Sequence, residues 1–299
     1  MVIDARHRRL LRLATRASLA VATTLILCKA IAWYLSGSVS LLAGLTDSIL
    51  DGAASFLNLL AVHYALRPAD DDHRYGHGKA EALAGMGQAL FIGVSAVFIA
   101  IQAVERLRSP APIGEAGIGI AVMLLSLVLT VGLLTLQHKV VRETGSTAVR
   151  ADSLHYRSDL MLNGSILVAL LLAHWGYPQV DAFFGLAISL YILWSAFQIG
   201  QESAAILMDQ ELDPGVAQDM LALACAIPGV LGAHDLRTRM SGQHWFVQLH
   251  LELPGTLSLS AAHALCEQVE AAIIARFPKA EVLVHADPEE AVNHVQFKP

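Results

Sequence analysis

Six stretches of roughly twenty mostly apolar residues dominate this sequence, at about 13–34, 41–65, 80–104, 116–137, 153–174 and 179–201. One helical crossing of a bilayer needs about 20 such residues. In hydrocarbon, backbone polar groups must be paired within the segment, so windows of this length read as helices. Composition agrees: 55% of the 299 residues are hydrophobic and 15% charged, where a soluble domain carries about 25% charged residues. Disorder is excluded, since it requires low hydrophobicity and high charge. A net charge of −6 offers no basic surface for nucleic acid. Basic residues precede the first window, as in a signal peptide, but no cleavage site or polar mature start follows Lys29, so it reads as a span.

Lys and Arg in the short loops set the orientation. Arg6, Arg8, Arg9, Arg12 and Arg16 precede span one, Arg67, Arg74 and Lys79 follow span two, and Lys139, Arg142 and Arg150 follow span four. The opposite side holds only Arg106 and Arg108, and the loop at 35–40 has no charge. Both termini are therefore expected in the cytoplasm, and an even number of spans, which puts both on one side, agrees.

Beyond residue 205 the pattern changes. Helical periodicity covers 213–226 and 259–277, and strand-like runs cover 233–240, 244–253 and 281–285. In the second run Trp245, Val247, Leu249 and Leu251 alternate with Phe246, Gln248, His250 and Glu252. The expected fold is a six-helix transmembrane domain over 1–205 and a small cytoplasmic α+β domain, α-β-β-α-β, over 206–299. About 90 residues hold only a modest core, and pairing with a second copy would help. Cys28, Cys225 and Cys266 are too far apart in sequence for a CxxC motif or a disulfide framework and are expected as reduced, buried thiols.

Charges inside the spans point to function. Asp47 and Asp51 in span two, and His155 and Asp159 in span five, are each four apart and so share a helical face. A carboxylate at the bilayer centre costs at least about 2.5 kcal/mol on insertion scales, so such residues face a partner or a water-filled path. Arg157, the basic residue within these two spans, lies on the far side of its helix from His155 and Asp159. Three carboxylates and one imidazole suit a tetrahedral divalent ion such as Zn2+. Without thiolate, they also admit Fe2+, Co2+, Cd2+ and Mn2+.

Two further groups have the composition of metal sites among the 13 histidines. The loop after span two offers Asp70, His73 and His77 between glycines, and a solvated acidic loop is the competing reading. In the tail His234, His250, His263, His285 and Asp287 fall at strand or helix ends.

Taken in order, Ser36-Gly37-Ser38 through Leu45-Thr46-Asp47-Ser48, the Asp70-to-Glu81 loop, Asp152-Ser153-Leu154-His155 through Asp159, and His234-Asp235-Leu236-Arg237-Thr238-Arg239 resemble the cation diffusion facilitator family, specifically its bacterial zinc and ferrous-iron efflux antiporters. The resemblance covers roughly residues 10–290. It implies a homodimer in the bacterial inner membrane with a metallochaperone-like cytoplasmic domain. It implies a transport site at Asp47, Asp51, His155 and Asp159, a second metal site at Asp70, His73 and His77, and a two-metal cytoplasmic site near the dimer interface at His234, His250, His263, His285 and Asp287. It also implies an interlocking ion pair of Lys79 with Asp209. The family often has Gln where this chain has Ala286.

The expected function is proton-coupled efflux of a divalent metal, most simply Zn2+, with Fe2+, Cd2+ or Co2+ as other cargoes. The bilayer and protons are its partners, with no nucleic acid. The chain is not expected to be an enzyme: it has no HExxH motif, and no GxxxxGK[ST] loop suggests an ATP-driven pump. A membrane-tethered metal sensor would not need Asp47, Asp51 and Asp159 inside lipid.

Overall fold

The computed structural model describes residues 5–36, 39–108, 118–174 and 180–292. Six long helices come first: α1 (Ala5–Ser36), α2 (Val39–Ala65), α3 (Lys79–Arg108), α4 (Ile118–Thr144), α5 (Thr147–His174) and α6 (Val180–Leu207). They outrun the apolar windows because helix continues through the polar flanks, as at Arg6 to Arg12 in α1. Gly37, Ser38 and the start of the 116–137 window lie outside the described residues, as does His294.

Among the described residues, five helices are long and apolar enough to cross a membrane: α1, α2, α3, α4 and α6. The fifth window falls on α5, a helix of 28 residues that carries Arg150, Asp152, Arg157 and Asp159. Part of that polarity is absorbed inside the bundle. Asp152 is buried and accepts hydrogen bonds from Gln88 Nε2 on α3 (3.1 Å) and Gln137 Nε2 on α4 (2.7 Å). A buried carboxylate held by two amides ties three helices where lipid offers no hydrogen bonds.

Small residues set the packing. Ala89 and Ala96 of α3, Ala151 of α5 and Ala196 of α6 sit in one buried cluster with Ile92, Ile188, Ile192 and Ile199. Lipid tails are as apolar as leucine, so close backbone approach stabilises such contacts more than hydrophobicity does. A second cluster joins α1, α2, α4 and α5 through Leu11, Val62, Val140 and Val149. Large apolar side chains such as Leu27, Phe98 and Phe197 face outward, as a lipid-solvated surface requires.

The C-terminal part has the expected order: α7 (Pro214–Cys225), β1 (Gly232–Ser241), β2 (His244–Leu253), α8 (Leu259–Arg276) and β3 (Ala280–Pro288), then a 3-10 turn at Glu289–Ala291. Asp213 caps α7 by accepting from the Gly215 N–H at 2.8 Å, with Pro214 in the first turn. β2 is central, antiparallel to β1 and parallel to β3. β3 runs past the expected 281–285 because β2 pairs with it as far as Leu253 opposite Pro288. Val247, Leu249, Leu251 and Leu253 form the buried face of β2 beneath Met220 of α7 and Val269 and Ile273 of α8. Cys266 is buried there, but Cys28 is only partly covered and Cys225, at the end of α7, is exposed, which corrects the expectation of three buried thiols.

The two parts meet at the loop between α2 and α3. Lys79 Nζ lies 2.9 Å from Asp209 Oδ1 and donates to the Leu207 carbonyl at 3.3 Å, capping the end of α6. Asp209 adopts a positive φ of 58°, and its carboxyl is held below the ordinary range chiefly by the Lys79 hydrogen bond. Beside this pair the Arg239 guanidinium stacks over Tyr75 (4.4 Å) and Phe246 (5.0 Å). Gly78 packs directly on the backbone of the β1–β2 turn. A Cβ there would overlap the Ser241 carbonyl, and one at Gly242 would come within 2.9 Å of Gly78 Cα.

Candidate functional site

Three clusters of ligand-type side chains occur among the described residues. The first lies between α2 and α5. Asp51, His155 and Asp159 bring one ligand atom each within 4.8 Å of the others. His155 Nε2 is 2.9 Å from Asp51 Oδ1 and 3.8 Å from Asp159 Oδ2. The imidazole is buried, and Nε2 makes no well-aligned hydrogen bond. A buried ring nitrogen aimed between two carboxylates without an ordinary partner is the arrangement a cation would complete.

Asp47 departs from the sequence expectation. It is exposed and stands outside the triplet, although it lines the same small cavity of about 160 Å3. Its carboxylate does not come within 4.8 Å of all the ligand atoms that Asp51, His155 and Asp159 bring together. Lys29 of α1, not anticipated as a site residue, lines that cavity too, with Nζ donating to Ser48 Oγ (2.7 Å) and to the Gly44 carbonyl (3.1 Å). A lysine inside an apolar window was the available signal. On the Tyr156 side a hydrogen-bonded knot fixes the geometry: Ser18 Oγ donates to Ser55 Oγ (3.0 Å), which lies 2.9 Å from Tyr156 Oη. That knot joins α1, α2 and α5. Arg157 lies on the other side of α5, over the Tyr191 ring of α6.

The second cluster is the loop of Asp70, His73 and His77. Asp70 Oδ1 lies 3.2 Å from His73 Nδ1, and Oδ2 lies 3.2 Å from His77 Nε2. His77 is buried against the edge of Tyr64, with no partner at Nδ1. The His73 backbone N–H donates to Asp70 at 2.7 Å and, more than any other contact, holds that carboxyl below its ordinary range. The exposed aspartate is thus a charged, prearranged acceptor.

The third cluster belongs to the sheet. Register places His234 of β1 and His285 of β3 on either side of His250 of β2, a row of three imidazoles. His234, His250 and Asp287 form the tight group, with His250 Nδ1 at 2.7 Å and His234 Nε2 at 3.6 Å from Asp287 Oδ2. His285 is largely exposed, 3.2 Å from Asp287 Oδ1. His263 does not join them: it is exposed on α8 beside Glu267, one turn on at 3.5 Å. A helix packed on the other face of the sheet cannot bring it to the strand row within one chain. Glu252, which the sequence places in the β2 alternation but not among the site residues, lies 3.0 Å from His234 Nδ1. Its place on the His250 face in the strand alternation could have revealed it. A carboxylate on one ring nitrogen orients the other towards a metal. Next to His234 the β1 ladder is irregular, and Asp235 takes a positive φ of 46°.

The cation efflux transmembrane domain family model matches residues 15–208, and the model of the cation efflux protein cytoplasmic domain matches residues 212–289. A cation-efflux pump FieF from Klebsiella pneumoniae is 49% identical over 290 residues, covering 97% of each chain. The protein of that name from Serratia proteamaculans is 50% identical over 286 residues, covering 96% of this chain and 95% of its own. Its counterpart from Citrobacter koseri is 50% identical over 280 residues, with 93% of each covered.

Proposed function

The chain belongs to the cation diffusion facilitator family of divalent-cation efflux transporters, and we propose that it exports Zn2+ in exchange for protons by alternating access. It is a multi-pass membrane protein and not an enzyme. The observation that carries the finer reading is the Asp51–His155–Asp159 cluster between α2 and α5. Two carboxylates and one imidazole give three ligands, and tetrahedral Zn2+ leaves a fourth position for Asp47 or water. Fe2+, Cd2+ and Co2+ accept the same donors and are the secondary cargoes.

Proton coupling follows from the donors. Each must be deprotonated to bind metal, so protons and metal compete for the same atoms. A site that loads metal when open to the cytoplasm and protons when open to the other side exchanges one for the other. Rocking of helices about a fixed midplane site provides the two openings.

In this reading residues 1–205 carry transport and 206–299 bind metal and dimerise. Both termini are cytoplasmic in the inner membrane, a reading that the Lys and Arg distribution supports. Asp70, His73 and His77 form a loop site. His234, His250, His285 and Asp287 form the cytoplasmic site, and the exposed His263 is left to act at the interface of a homodimer. Purified protein in proteoliposomes with an imposed pH gradient tests this metal by metal. Zn2+ flux should follow the gradient and collapse with a protonophore. Flux indifferent to pH would remove the antiport assignment, and a stronger response to another cation would reassign the cargo.

A further inference from the structure

The outer side of α5 carries a feature that cation transport does not use. Arg150 and Arg157 are seven residues apart, two helical turns, and so share one face. With Tyr191, Trp194, Gln198 and Glu202 of α6 they line a polar cavity of about 530 Å3 between the two helices. Arg150 is ion-paired with Glu202. Arg157 is exposed and lies over Tyr191, its guanidinium carbon 5.3 Å from the ring centroid. Among the described residues no carboxylate stands within ion-pair distance of it.

Two guanidiniums against one carboxylate leave the cavity with one net positive charge, about 10 Å along α5 from Arg150. An unmatched guanidinium on a helix face turned towards apolar surroundings is costly and calls for a partner. A metal cation is repelled there, so the missing ligand is an anion. The cavity opens on an apolar flank where Leu190, Trp194 and Phe197 are exposed. Soluble anions do not partition to such a flank, whereas a lipid lays its acyl chains on those side chains. Arginine pairs with phosphate through its planar fork, and Trp and Tyr favour the depth of lipid headgroups.

We propose that the cleft between α5 and α6 binds the phosphodiester headgroup of an anionic membrane lipid, with Arg157 as the anchor and Tyr191 holding its guanidinium plane. The ligand neutralises the cavity and braces the outer side of α5, whose inner side carries His155 and Asp159. This rests on the membrane placement of the helices and not on the metal or the counter-ion of transport.

The test compares the full-length protein with Arg157→Gln and Arg157→Lys after delipidation. Each is titrated with phosphatidylglycerol or phosphatidylcholine in detergent and read by native mass spectrometry. Helical circular dichroism and the elution volume of the purified protein serve as the control for folding. The wild type should prefer phosphatidylglycerol by about fivefold, or about 1 kcal/mol. Arg157→Gln should lose that preference with both controls unchanged, and Arg157→Lys should keep part of it. Millimolar inorganic phosphate should not displace the lipid. Equal retention by wild type and Arg157→Gln, equal binding of both lipids, or displacement by inorganic phosphate would each overturn the proposal.

Discussion

The ammonium of Lys29 donates to the hydroxyl of Ser48 at 2.7 Å, which fixes a cation from α1 on the cavity that Asp47, Asp51 and Asp159 also line. On the transport path proposed above, cargo entering this cavity would meet three carboxylates and one resident positive charge. That charge opposes binding of a second cation and favours its release. Lys29→Met should bind Zn2+ about three- to tenfold more tightly, the scale expected for a unit charge several ångströms away in a partly screened site. Export should slow in step. Calorimetry in detergent and flux in vesicles check the two halves, and unchanged affinity would show that Lys29 only braces α1 against α2.

Asp51 and Asp47 should not behave alike. Asp51 is inside the ligand triplet and Asp47 outside it. Asp51→Ala should reduce Zn2+ transport below about a tenth of wild type, since losing a ligand and its charge costs more than about 1.4 kcal/mol, the value of a tenfold change. Asp47→Ala should leave measurable flux. Equal losses in reconstituted vesicles would return Asp47 to the ligand set.

Replacing His155 by Asp would convert the triplet to oxygen ligands alone. Harder ions such as Mn2+ should gain relative to Zn2+. Competition flux assays read this ratio, and an unchanged ratio would mean that the imidazole does not touch the cargo.

In the cytoplasmic domain, Asp287→Ala removes the carboxylate that lies near His234, His250 and His285. Metal content of the purified protein and Zn2+-dependent thermal stability should fall, with transport reduced but retained. Glu252→Gln should weaken metal binding by about 10- to 100-fold, because only the orientation of His234 is disturbed. Wild-type metal content in both variants would dissolve this site.

The junction should respond to acid in one direction. Asp209 is held below the ordinary carboxyl value of about 3.9 by Lys79, then by Arg239. A lowered folded-state pKa means the pair contributes fully above the ordinary value and loses its contribution as pH falls through the lowered one. Hydrogen exchange at Met208 and Gln210, corrected for intrinsic rate, should stay constant from pH 7 to about 5 and loosen below about 4. Asp209→Asn should be loose throughout. Protection that changes between pH 7 and 5 would point to a different titrating group.

Hydrophobic length and i,i+4 spacing made the helices, the α/β order and the Asp51–His155–Asp159 face readable from the residues alone. Period-2 alternation likewise gave β2 its two faces. Spacing puts Asp47 on the face of Asp51, but which carboxylate comes nearest His155 depends on how α2 packs against α5, which spacing within one helix does not report. Lys29 escaped notice because a single charge does not disturb the mean hydropathy of a 20-residue window, and its partners lie on another helix. His263 could not be separated from the other histidines by sequence, since only packing decides which side of the sheet a helix covers. The row of His234, His250 and His285 needed strand register, which follows from pairing between distant segments.

The contact of Gly78 with Ser241 and Gly242 sets the kind of motion that can pass between the two parts of the molecule. Backbone pressed on backbone has no rotamers to rearrange, so it stores no slack. A tilt of the sheet at this point bears on the main chain one residue before α3, with no side chain between them to absorb it. The loop between α2 and α3 is thus a fulcrum. Its leverage depends on two missing side chains, and even a methyl group at position 78 would lift the load off it.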